Sequence, residues 1–299
     1  MPDPNTHSHR RRDRGRLLVS CPDRPGIVAA VSRLLFGQGA NIIRSDQHTT
    51  DPEGGRFFMR VEFDLPGLAR RRDALSAALQ AVADDFSMEW RLALAAERRR
   101  LAVFVSREGH CLQELLWRQQ TGELPGQIAM VISNHPDLAQ VAGAHGLPFH
   151  HTPVPADEAA GVRAAEASQR ALLQAGAGID LVVLARYMRI LSPEFAAVYP
   201  GRIINIHHSF LPAFAGGNPY RQAFARGVKI IGATAHYVTA DLDAGPIIEQ
   251  DVQRVSHRDN PEDMRRVGRQ IERTVLARAV TWHLEDRILL HGNRTVVFD

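Results

Sequence analysis

The spacing of apolar positions changes character near residue 100. Before that point, RLLVSC (16–21) predicts a strand, and DRPG turns the chain into GIVAAVSRLLFGQG. Apolar residues at 27, 28, 31, 34 and 35 recur there at helical spacing, and Gly37 and Gly39 close the helix as C-terminal caps do. NIIRSDQHT and GRFFMRVEFDL predict two strands joined across DPEGG, a hairpin signal. LARRRDALSAALQAVADDF predicts a second amphipathic helix and SMEWRLAL a fourth strand. The order βαββαβ is the split βαβ arrangement of a ferredoxin-like domain, expected over residues 16–96.

AAERRR (95–100) is a charged linker candidate. Beyond it strands and helices alternate: LAVFV (101–105), a helix over His110–Thr121, QIAMVIS, a helix over 136–145, FHHTPV and a helix over 157–174. LVVLA (181–185) and IINI (203–206) follow as unbroken apolar runs, then a long amphipathic helix over 261–290 and a short strand, TVVF. Unbroken apolar strands alternating with helices argue for a mostly parallel sheet covered by helices, a Rossmann-like α/β domain over 101–299. The glycines in QGANI and AGAGID precede strands instead of following them, so no dinucleotide fingerprint is present.

Composition narrows the classes. A chain of 299 residues, 44% hydrophobic, can bury two cores. Its two cysteines, Cys21 and Cys111, make neither a disulfide framework nor a CxxC pair, which fits a reducing cytoplasm. The opening MPDPNTHSHRRRDRGR lacks the apolar core of a secretory signal, and no apolar run reaches membrane-spanning length. Residues 1–15 read as a basic tail. Net charge is +3, and the arginine clusters at 10–12, 70–72, 98–100 and 265–266 are interleaved with acids and lack stacking aromatics. They read as solvated faces, so neither nucleic acid nor a membrane is expected as partner.

Chemistry concentrates in two stretches. In NIHHSFLPAF (205–214), Asn205 and His207 are two apart, so both project from one face where a strand runs into a loop. The carboxyl end of a parallel strand is where open α/β sheets place ligands. In GATAHYVTADLDAGPII (232–248), Asp243 stands before an Ala-Gly-Pro turn, near His236 and Asp241. Alone it would be a turn residue; beside an Asn/His pair it becomes an acid–base group. His207 and His208, as neighbours on a strand, are expected on opposite faces, and no H-E-x-x-H occurs, so no metal is expected. Ser209 lies in no nucleophile elbow.

NIHHSFLPAF, PYRQAFARGVKIIGATAHYVTADLDAGPIIEQDV and ARYMRILSPEF resemble the formyltetrahydrofolate deformylases of the folate-dependent formyltransferase superfamily, and residues 16–94 resemble an ACT domain. The resemblance implies hydrolysis of 10-formyltetrahydrofolate, with Asn205, His207 and Asp243 catalytic and no cofactor. It implies folate contacts at Tyr187, Met188, Arg189, Ile190 and Leu191, and at His236, Tyr237, Val238 and Asp241. Asp23, Pro25, Gly26 and Ile27 would bind an amino-acid effector, glycine or methionine, in a homotetramer; an ACT domain that only pairs subunits fits the same residues. One departure is AGGNPY, where members often carry Ala at the position of Gly217.

Other readings fit the sequence less well. A formyltransferase to an amine such as glycinamide ribonucleotide would need a phosphate cradle after the first strand of the second domain. That segment here is VSREGHC, with one glycine and a glutamate. A methionyl-tRNA formyltransferase would need an added C-terminal barrel, and HHS in place of HPS also leans towards the deformylases. A catalytically dead amino-acid sensor is disfavoured by the intact Asn205, His207 and Asp243.

Overall fold

The computed structural model describes residues 13–51, 53–155, 159–176, 178–212 and 219–298. These divide into two compact units, one of residues 13–98 with 285–291 and 295–298, the other of 99–284 with 292–294.

The first unit has the expected order: β1 (Arg14–Pro22), α1 (Ile27–Gly37), β2 (Asn41–Thr49), β3 (Arg56–Asp64), α2 (Leu68–Phe86) and β4 (Glu89–Leu94). Its antiparallel sheet runs β2-β3-β1-β4. Leu17, Val19 and Cys21 of β1 and Phe57, Met59, Val61 and Phe63 of β3 meet Ile27, Val31, Leu35, Leu68, Leu75 and Leu79 of the helices. Alternation would leave the opposite face wet, yet Leu18, Phe58 and Arg60 there are also buried. The cover comes from the end of the chain.

That segment departs from the expected boundary at 101–299 and from the expected helix over 261–290. The helix ends at Leu284, Asp286 takes a left-handed φ of 54°, and β12 (Ile288–His291) and β13 (Arg294–Val297) form a small ribbon. Buried Asp286 sits 3.4 Å from Arg16 and 2.5 Å from Arg91, while Arg60 donates to the carbonyls of Asp286 (3.0 Å) and Glu285 (3.1 Å). His291 packs edge-on to Phe58, ring centroids 5.4 Å apart. Helical periodicity runs on past the true stop because the residues that end the helix face a second partner surface.

The second unit contains β5 (Arg99–Val105), α3 (His110–Thr121), β6 (Gly126–Ser133), α4 (Ala139–Ala144), β7 (Phe149–His151), α5 (Ala159–Ala175) and β8 (Ile179–Leu184). It continues with α6 (Pro193–Val198), β9 (Ile203–His207), α7 (Pro219–Arg226), β10 (Ile230–Tyr237), β11 (Ile247–Arg254) and α8 (Pro261–Leu284). The sheet order is β11-β10-β9-β8-β5-β6-β7. From β9 to β7 all neighbours are parallel, and β10 is antiparallel to both β9 and β11. The chain leaves β5 towards β6 and returns to β8 on the other side, so the strand order reverses between β5 and β8, the topological switch where ligand crevices open. α4 is shorter than expected, because 136–138 form a turn closed by the Ala139 amide on the Pro136 carbonyl. Pairing adds His207 to the strand expected over 203–206.

Candidate active site

The carboxyl end of β9 brings Asn205 and His207 to one face, as their spacing predicts. Antiparallel pairing sets His236 of β10 opposite Asn205 and Thr234 opposite His207. A register shift between Ala235 and His236 marks a bulge against β11 beside the imidazole. Asn205 Nδ2 lies 3.2 Å from His236 Nε2, and His236 Nδ1 lies 3.0 Å from the Tyr237 carbonyl. A carbonyl can only accept, so the proton of a neutral His236 sits on Nδ1 and leaves its Nε2 open to the Asn205 amide, with Asp243 Oδ1 also 3.5 Å from that nitrogen. The second N–H of that amide is left for another acceptor.

Asp243 reaches the same point from the turn between β10 and β11. Its backbone is left-handed (φ 52°), a conformation Asp and Asn tolerate better than other non-glycine residues. Gly245 behind it is obligatory: a Cβ there would lie 1.8 Å from the Tyr237 carbonyl oxygen. The Tyr237 amide donates to the Pro246 carbonyl (2.9 Å), and Asn293 Nδ2 holds the Ala244 carbonyl at 2.8 Å. So fixed, Asp243 Oδ2 lies 3.2 Å from His207 Nδ1. The hydrogen bond from His207 holds its carboxyl well below the usual carboxylate range, against the cost of its partial burial. His207 Nδ1 must therefore carry a proton. Its Nε2 is buried and has no hydrogen-bond partner among the described residues. A buried, unpaired nitrogen costs free energy unless a ligand completes it.

The loop leaving β8 turns at Arg186, a left-handed residue with φ 63°. Met188 and Ile190 present exposed apolar side chains, 54% and 68% accessible. Tyr187 instead points inward, packs edge-on to Phe104 and receives a hydrogen bond from Gln169 at 2.9 Å, so it braces the loop from beneath. Tyr237 is likewise buried, its hydroxyl 2.8 Å from His283 Nδ1. Arg189 reaches the Pro155 carbonyl, while Leu191 and Val238 pack against the core cluster under the loop. Asp241 is exposed. In the first unit, Gly26 (φ 97°) precedes α1 and Asp23 accepts from the Thr49 hydroxyl at 2.6 Å; Pro25 and Ile27 flank it. Gly217 lies outside the described residues.

Several polar residues escaped notice in the sequence. Buried Glu166 accepts from the Ser192 amide (2.7 Å) and hydroxyl (2.5 Å), closing the far end of the loop, and the Met188 amide donates to Ser106 Oγ (3.0 Å) after β5. Glu272 of α8 is almost fully buried and lies 2.7 Å from His110 Nε2, 2.7 Å from the Tyr220 hydroxyl and 3.4 Å from Arg186 Nε. Gly268, one turn earlier, leaves room for that phenol: a Cβ would sit 1.9 Å from its oxygen. His110, Cys111 and Glu272 cluster closely enough to share an ion, but Glu272 already has these partners. His208 corrects an expectation. The strand ends at His207 and the chain bends, so the rings of His207 and His208 stack instead of facing apart, centroids 5.1 Å apart. Among the described residues no helix is long and apolar enough to cross a membrane.

Residues 99–280 match the formyl transferase family and residues 15–80 the ACT domain. The formyltetrahydrofolate deformylase of Bacillus subtilis is 58% identical over 96% of this chain and 94% of its own. The crystal structure of a formyltetrahydrofolate deformylase from Pseudomonas syringae is 47% identical with a TM-score of 0.91, over 99% of this chain and all of that one. Glycinamide ribonucleotide transformylase 1 of Symbiobacterium toebii covers 68% of this chain and 95% of its own at 36% identity, with a TM-score of 0.61. Agreement in both domains and over nearly the full length places this chain in the formyltetrahydrofolate deformylase family, an ACT domain followed by a formyltransferase-fold α/β domain.

Proposed function

We propose that this chain hydrolyses 10-formyltetrahydrofolate to tetrahydrofolate and formate at the cluster of Asn205, His207 and Asp243. The observation that carries the reading is the unpartnered, buried Nε2 of His207 beside a free amide N–H of Asn205, with Asp243 behind the ring. A formyl group on nitrogen is amide-like, and attack by water turns its carbonyl into an oxyanion. A neutral His207 protonated at Nδ1 would offer that oxyanion a lone pair. Only the imidazolium offers a second N–H, and Asp243 is the charge that stabilises it. Each such donor is worth about 3 kcal/mol of barrier. Asp243 also accepts the proton lost by water and returns it to the leaving nitrogen. The formyl carbon keeps its oxidation level in formate, so protein groups suffice and no cofactor is invoked.

Folate is proposed to lie along Met188, Arg189 and Ile190 and the 236–241 segment, propped by Tyr187, Leu191, Tyr237 and Val238. Water, not an amine, is the acceptor: after β5 stands Glu108, paired with Arg269 at 2.9 Å, where a phosphate would meet an anion. The test is formate production from 10-formyltetrahydrofolate alone. Tetrahydrofolate that appears only when an amine such as glycinamide ribonucleotide is added would overturn the reading.

The ACT domain is proposed to bind glycine or methionine at the start of α1, near Asp23, Pro25, Gly26 and Ile27, in a cytoplasmic homotetramer. The exposed edge strand β2 supports association. Purified protein should sediment at four times the chain mass, and either amino acid should change its turnover. A monomer whose rate ignores both would discard the regulatory reading.

A further inference from the structure

His208 follows the catalytic strand and is only partly exposed. Its ring stacks on His207 with an interplanar angle of 28° and tilts against Tyr220 at 6.4 Å. Neither of its ring nitrogens makes a hydrogen bond to any described residue. The polar groups behind it are committed to one another: the Tyr220 hydroxyl donates to Glu272, which also holds His110 and Arg186. Burial, then Arg186 and His207, push the His208 imidazole down to about 4, outweighing Glu272 and Asp243. It is neutral at neutral pH, and a neutral imidazole always carries one bare, accepting nitrogen.

We propose that His208 holds the attacking water and so selects water as formyl acceptor. Its bare nitrogen accepts a hydrogen bond from one O–H of the water, whose oxygen faces the formyl carbon while Asn205 and His207 hold the formyl oxygen. This rests on the hydrolytic reading above and adds the choice of acceptor. In the covalent step the water oxygen bonds to carbon, and its other O–H breaks with the proton passing to Asp243. The C–N bond then breaks and that proton ends on the leaving nitrogen. His208 neither gains nor loses a proton. Positioning of this kind is sensitive: a misplacement of about 1 Å costs on the order of 10²-fold.

Two full-length variants separate water binding from packing. His208→Phe keeps a ring to stack on His207 and Tyr220 but has no acceptor; His208→Asn loses the ring and keeps one. Formate release is measured at saturating 10-formyltetrahydrofolate, with and without hydroxylamine, a nucleophile that yields formohydroxamate without needing the held water. Expected for His208→Phe is a fall in kcat of roughly 10²-fold with little change in KM, and a formohydroxamate-to-formate ratio raised about tenfold. His208→Asn recovers much of the lost formate turnover. If His208→Phe matches wild type, or if His208→Asn is as slow with an unchanged product ratio, the ring only packs and the proposal fails. Wild-type protein that releases no formate would overturn hydrolysis itself, and this step with it.

Discussion

Replacing Asp243 by Asn lowers turnover by at least about 10³-fold while leaving folate binding nearly unchanged. The expectation combines the roughly 10²–10⁴-fold contribution of a positioned acid–base group with electrostatic support of the oxyanion. Asn has almost the same volume and accepts the left-handed backbone at 243 (φ 52°), so the turn held by Gly245 should survive. What vanishes is the charge that makes the His207 imidazolium favourable and the site that receives the proton. Asp241, exposed in the same loop, is the internal control, and Asp241→Asn should cost little. The measurement is kcat and KM for both variants. Equal losses at the two positions, or a folate affinity that collapses together with the Asp243→Asn rate, would refute the assignment.

The same substitution carries a pH signature. Because the folded carboxyl of Asp243 lies below its ordinary 3.8, its contribution to stability is present above that value and is lost as pH falls through the lower folded value. Wild type should therefore lose its stability advantage over Asp243→Asn only in strong acid.

A second large effect is structural. Glu272→Leu removes a carboxylate of 1% side-chain exposure and leaves Arg186, itself 12% exposed, without that counter-charge. Breaking a buried pair from one side costs about 3–5 kcal/mol, because the remaining charge stays desolvated. For a domain of this size each kcal/mol shifts Tm by about 2–4 °C, so a fall of roughly 6–20 °C is expected. Adding Arg186→Met removes the stranded charge and should restore part of the loss. Thermal unfolding of the two variants decides it: a Tm within about 2 °C of wild type for Glu272→Leu, or a double variant worse than the single by its full additive cost, would mean that the network is not the brace described.

Local periodicity carried the element order of the first unit and much of the second, since burial on one face leaves its period in the sequence whatever the partner is; it did not mark α6, α7, β10 or β11. It also placed Asn205 and His207 together, because two-residue alternation is a property of any strand. The same local logic failed at His208, where the strand stops, and at 285–290, where helical spacing continues after the helix has ended. Tyr187 and Tyr237 show a further limit: a motif names the segment that forms a loop, but not which of its side chains turn inward.

Long-range pairing decided the rest. Asp243 lies far along the chain from His207, and only the antiparallel register of β9 with β10 and the close passage of Gly245 past Tyr237 bring the carboxylate to the imidazole. His110 and Glu272 are 162 residues apart, and Gly268 leaves space for Tyr220, another partner of the same carboxylate. Sequence alone determined the two-domain plan and singled out the candidate groups Asn205, His207 and Asp243, because both rest on short-range pattern and residue chemistry. Tertiary structure alone determined the distances between those groups, the buried charge behind them and the C-terminal cover of the first sheet, because each depends on contacts whose two sides carry no shared local signal.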